Sequence, residues 1–94
     1  ESDRVAAMAC ELSKFGVRLQ AEENRVVIFP GGISAPQEML DGHNDHRIVM
    51  ALSVLCASVG GTIRGAEAVN KSYPDFFQTL QNLGIQVDIQ PEKA

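Results

Sequence analysis

The chain contains no tryptophan, one tyrosine and only two cysteines in 94 residues. Its basic side chains are few: eight Lys and Arg against twelve Asp and Glu, for a formal net charge of −4. That balance excludes a general nucleic-acid binder or a protein that adheres to anionic membranes, so any basic chemistry must be local. The scarce aromatics point the same way. Tyr73, Phe76 and Phe77 lie in no basic strip and read as packing residues, not as a base-stacking platform. No stretch approaches the roughly 20 apolar residues of a membrane span, and no secretory signal is visible. Cys10 and Cys56 each fall inside an apolar helical pattern, which reads as buried free thiols in a reduced, cytoplasmic compartment. The pairs Gly31-Gly32 and Gly60-Gly61 lack the spacing of a phosphate-cradling loop and read as turns.

What is present is ordinary in bulk: 45% hydrophobic and 21% charged residues, as in soluble globular domains. A chain of this length buries only about 60–65% of its unfolded surface, so residues 1–94 are expected to form a single compact fragment with a modest core. The opening Glu1-Ser2-Asp3-Arg4, with no initiator methionine, reads as the start of a piece of a longer protein.

Val5, Met8, Leu12 and Phe15 recur at helical spacing before Gly16, which predicts a helix over 3–15. Strands are expected at 17–21 and 25–29, joined by a hairpin loop at 22–24. A second helix is expected over 45–58, carrying Ile48, Leu52, Leu55 and Val59 on one stripe and apolar on most faces. A short strand at 62–66 follows. A third helix is expected to be capped by Ser72 or a neighbour, with Pro74 in its first turn and Phe76, Leu80 and Leu83 turned inward. A last strand over 85–89 and a frayed tail from Gln90 to Ala94 complete the pattern. The order α-β-β-α-β-α-β predicts an α/β (α+β) fold with a mixed sheet and helices on one face.

The charges at the helix starts go against the expected electrostatics. Helix N-termini favour anions, yet Arg4 lies in the first turn of the first helix, His46 and Arg47 in that of the second, and Lys71 just before the third. The arrangement makes sense if an anion binds there, since amides and cations then attract the same ligand. The plainer reading pairs these cations with neighbouring carboxylates such as Asp3 and Asp45. His43, Asp45 and His46, with Asp41 nearby, form too short a cluster, beside a repelling arginine, to read as a metal site.

The stretches ESDRVAAMACELSKFG (1–16), NDHRIVMA (44–51) and KSYPDFF (71–77) closely resemble the C-terminal part of the 5-enolpyruvylshikimate-3-phosphate synthase family, in the family's order. The related UDP-N-acetylglucosamine enolpyruvyl transferases lack this combination of motifs. The resemblance implies two domains built from βαβαββ-type units with a cleft between them. It also implies an enolpyruvyl transferase of the shikimate pathway of aromatic amino-acid biosynthesis. The substrates would be phosphoenolpyruvate and shikimate 3-phosphate, with no cofactor and no metal.

Carried over by motif, Arg4, Arg47 and Lys71 would grip phosphoenolpyruvate, a task suited to the planar arginine fork. Glu1 would exchange a proton with the methylene carbon, and His46 would orient the transferring group. The family's lysine before that glutamate and its upstream aspartate base have no counterpart in the 94 residues. The remaining polypeptide is therefore an expected partner, and the chain alone is expected to be inactive. The alternative is a stand-alone, non-catalytic anion-binding or interaction domain.

Overall fold

The computed structural model describes residues 2–90, with side chains from Arg4 onward. The first helix, α1, runs Ser2–Ser13. It ends in a turn to Gly16, whose φ of +86° lies in the left-handed region that glycine enters without a Cβ clash. A short antiparallel hairpin follows: β1 (Leu19–Ala21) pairs with β2 (Val26–Ile28) in the register Leu19↔Ile28, Gln20↔Val27, Ala21↔Val26. After an irregular stretch, β3 (Leu40–Asp41) turns into α2 (His46–Val59), and the chain returns as β4 (Ile63–Arg64), parallel to β3. A 3-10 helix (Ala66–Lys71) and a short helix α3 (Phe76–Asn82) complete the described elements.

Helix α2 is the centre of the molecule. Ile48 and Leu52 on one side pack with Phe15 and Leu40, and against these lie Met8, Leu55, Val59 and Ile63. Val49, a step round the helix, packs with Ala68 and Val69 of the 3-10 helix, backed by Phe76 and Phe77. The stripe at i, i+4 thus faces α1 and β3, while its neighbour faces the C-terminal elements. Gly60, at a φ of +91°, stops the helix as expected.

Several expectations are corrected. The fold is mixed α/β with small sheets, but the strands form two separate pairs and not one mixed sheet. Residues 85–89 alternate like a strand yet find no neighbouring backbone ladder among the described residues. The Gln81 side chain instead donates to the Val87 carbonyl at 3.0 Å. The 3-10 helix Ala66–Lys71 was not anticipated. Ser72 ends that 3-10 helix and does not start α3, whose N-cap is Asp75. Leu83 is exposed just past α3, and Val54 leaves one side of α2 open. Cys10 is exposed and Cys56 half-buried, both as free thiols. The expected frayed tail lies outside the described residues beyond Gln90. Among the described residues, no helix is long and apolar enough to cross a membrane.

Candidate functional site at the start of α2

The β3–α2 turn gathers the charged residues. Asp45 is the N-cap of α2: its Oδ1 accepts from the Arg47 backbone N–H at 2.9 Å, satisfying one of the free amides of the helix start. Its other oxygen, Oδ2, accepts from Arg4 Nε at 2.8 Å. The Arg4 guanidinium holds the Asp45 carboxyl below its ordinary range, and the Arg47 amide adds to this against a smaller opposing effect of burial. One carboxylate therefore ties the first turn of α1 to the first turn of α2.

Lys71 reaches the same turn from the far side. Its Nζ donates to Asn44 Oδ1 at 2.8 Å and to the Asn44 carbonyl at 3.2 Å. The Arg47 side chain is exposed, and its guanidinium has no partner among the described residues. His46, the first residue of α2, is half-buried, with no hydrogen bond to its ring among the described residues. The structure thus brings Arg4, His46, Arg47 and Lys71 to the β3–α2 turn and the start of α2, Arg4 through Asp45 and Lys71 through Asn44. Glu1 lies outside the described residues.

Part of the electrostatic puzzle resolves differently from expectation. Lys71 occupies the last turn of the 3-10 helix, the end that favours a cation, and not the start of α3. Arg4 does have a carboxylate, but it is Asp45, 41 residues away in the sequence, and not an adjacent one as the plainer reading supposed. Only Arg47 remains a cation at a disfavoured end with nothing described to neutralise it.

The turn itself is strained. His43 and Asn44 both have positive φ, 55° and 52°, a conformation costing a non-glycine residue about 1–2 kcal/mol. Hydrogen bonds hold it there. The His43 N–H donates to Asp41 Oδ1 at 2.8 Å, and the Asp45 N–H to the Gly42 carbonyl at 3.0 Å. The His43 ring nitrogen Nε2 lies 2.7 Å from Glu11 Oε2. His43 and Asp45 are thereby committed to Glu11 and Arg4, and no group of three or more His, Cys, Asp or Glu among the described residues could hold a metal ion.

Glu11 is the residue missed in the sequence. It is only 1% exposed, and it accepts from the Asp41 N–H at 3.0 Å and pairs with Lys14 Nζ at 2.9 Å. Burial pushes its carboxyl up, but the Asp41 amide, the Lys14 ammonium and the His43 ring outweigh this and hold it below its ordinary range. Its position offered a signal. Glu11 lies three residues after Met8 and four before Phe15, on the apolar face of α1, where an acid needs a partner. It also lies seven residues after Arg4, two turns along the same face.

Comparison with known proteins decides the family. The family described as EPSP synthase (3-phosphoshikimate 1-carboxyvinyltransferase) matches residues 1–80. The chain belongs to the EPSP synthase family. Among curated relatives, the 3-phosphoshikimate 1-carboxyvinyltransferase of Natronomonas pharaonis is 47% identical over 90 residues, covering 94% of this chain and 20% of the relative. That of Sulfurisphaera tokodaii is 43% identical, over 96% of this chain and 22% of the relative. That of Methanosarcina mazei is 42% identical, over 99% of this chain and 21% of the relative. The chain spans about a fifth of the length of these EPSP synthase relatives.

Proposed function

We propose that the chain forms the phosphoenolpyruvate-binding wall of an enolpyruvyl transferase, completed by the remainder of a longer polypeptide. In this reading the parent enzyme moves the enolpyruvyl group of phosphoenolpyruvate to the 5-hydroxyl of shikimate 3-phosphate. A carbon–oxygen bond forms at the enolpyruvyl carbon, inorganic phosphate departs, and the hydroxyl proton is lost. The observation that carries the reading is the convergence of Arg4, Arg47 and Lys71 on the α2 start, in a chain whose net charge is negative.

Each residue then has a task. Arg47, unpaired among the described residues at the helix end, is the main anion grip, offering its planar fork to a carboxylate or phosphate alongside the amides of the α2 start. Arg4 and Lys71, held by Asp45 and Asn44, flank it and enlarge the positive field. His46 orients the transferring group, and Glu1 exchanges a proton with the methylene carbon. In the assembled enzyme the two small sheets join larger ones, within two domains of βαβαββ units on either side of the cleft.

The test grafts this chain into the 3-phosphoshikimate 1-carboxyvinyltransferase of Methanosarcina mazei, in place of the matching segment, and measures phosphate release. Turnover is expected. Replacing Arg47 by Ala in the same chimera should lower turnover by about two or three orders of magnitude, as when a single transition-state charge partner is lost. A folded but inactive chimera, or one indifferent to Arg47→Ala, overturns the reading.

A further inference from the structure

We propose that Glu11, which touches no substrate in the reading above, is the positioning residue of this site. Its buried carboxylate fixes the left-handed turn from which Asn44 and Asp45 hold Lys71 and Arg4 beside the start of α2. The inference rests on the anion-binding reading of that site and adds a residue to it.

The bonds form a continuous chain. One Glu11 oxygen accepts the Asp41 N–H, at the end of β3, and the other meets the His43 ring. Lys14, paired with Glu11, also donates to the Met39 carbonyl at 3.1 Å. The carboxylate is thus linked to the strand and turn at positions 39, 41 and 43. The next residue, Asn44, has no freedom of its own choosing: a positive φ at two consecutive non-glycine residues persists only where the surroundings over-determine it. Asn44 gives both of its oxygens to Lys71, and Asp45 gives one to Arg4 and one to the α2 amide. Moving the 41–43 segment therefore moves the two acceptors that aim two of the three cations.

A buried acid in the middle of an ion-pair network has another possible role, simple support of the fold. The two roles separate experimentally. Support changes the stability of the chain, whereas positioning changes anion affinity at temperatures where the fold is intact.

Inorganic phosphate is titrated into the chain while NMR follows the backbone amides of Asp45 and Arg47. The amides of the hairpin Leu19–Ile28 report that the fold is unchanged. Glu11→Ala and His43→Ala should each weaken phosphate binding about tenfold, the usual cost of removing a partner that orients a ligating group. Glu11→Gln keeps an oxygen for the Asp41 amide and should restore most of the affinity. Should Glu11→Ala fail to fold, His43→Ala decides, because that ring is one-third exposed and its loss leaves the core intact.

Unchanged affinity in the alanine variants that fold, or a glutamine variant as weak as alanine, overturns the positioning role and leaves the anion site standing. Absence of phosphate binding to the unaltered chain at these amides overturns both.

Discussion

The Arg47 guanidinium stands at the positive end of α2 with no described partner, so its removal should separate function from stability. Alanine is the better helix former, and the replaced cation sits where the helix dipole disfavours it. Arg47→Ala should therefore leave the chain unchanged or more stable by up to about 0.5 kcal/mol. Urea denaturation measures this, and a loss of about 1–3 kcal/mol, typical of a broken buried contact, would assign Arg47 to the scaffold. The carboxylates give a second residue-scale prediction. Glu11, Asp41 and Asp45 all have carboxyls held below their ordinary values. A lowered folded value means that the unfolded chain takes up protons first as pH falls. Their stabilising contribution is complete above about pH 5 and is lost progressively below it. The urea midpoint should hold between pH 7 and 5 and then drop. In Asp45→Asn, which keeps the cap but removes the negative charge that faces Arg4, the drop should be shallower. A midpoint that rises on acidification from pH 5 to 3 contradicts this.

The β3–α2 turn shows how closely an element can constrain one position. Gly42 is buried, and a Cβ built there would stand 2.6 Å from Val49 Cγ2, 3.1 Å from the Gly65 carbonyl and 3.3 Å from the Arg64 carbonyl. Two of these atoms are backbone of the β4 end, so the clash falls on the parallel pair as well as on α2. Gly42→Ala should cost about 1–3 kcal/mol, the usual range for overpacking. Trimming the neighbour in Gly42→Ala/Val49→Ala should recover part of it, giving less loss than the sum of the single changes. Chemical denaturation of the four proteins tests this, and strict additivity would mean that the turn moves aside without meeting Val49. The same turn explains why α2 starts where it does. The Asp45 side chain caps it, and Gly42 lets the chain pass close beneath β4 before the helix begins.

At the scale of the whole molecule, much apolar surface is left uncovered. Leu83, Ile28, Ile89 and Val54 are each more than 60% exposed. The Cα radius of gyration is 13.6 Å, against about 12 Å for a compact domain of this length. The two apolar clusters nonetheless share one helix, α2, which contributes Ile48 and Leu52 to one and Val49 to the other. The chain alone is therefore expected to unfold cooperatively in urea, with no phosphate release from phosphoenolpyruvate and shikimate 3-phosphate. The cleft it would line has only one wall. Circular dichroism and a phosphate-release assay measure the two halves of this expectation, and measurable turnover by the chain alone contradicts the one-wall reading.

Where a pattern repeats within a few residues, the sequence alone determined the outcome. The helical spans of α1 and α2, the Ile48–Val59 stripe, the stops at Gly16 and Gly60, and the hairpin about 22–25 depend on local periodicity and on backbone freedom at single positions, whereas Val5 of the expected α1 stripe is exposed and Ala7 and Glu11 turn inward. The motifs around Arg4, Arg47 and Lys71 also named the candidate site. The tertiary structure decided what holds that site together. Arg4 and Asp45 are 41 residues apart, Glu11 and His43 are 32 apart, and Asn44 and Lys71 are 27 apart. No local pattern encodes such pairs, because each exists only after α1, α2 and the 3-10 helix have packed. The same reason governs the strand at 85–89. Its alternation is local, but a ladder needs a second backbone, and none of the described residues supplies one.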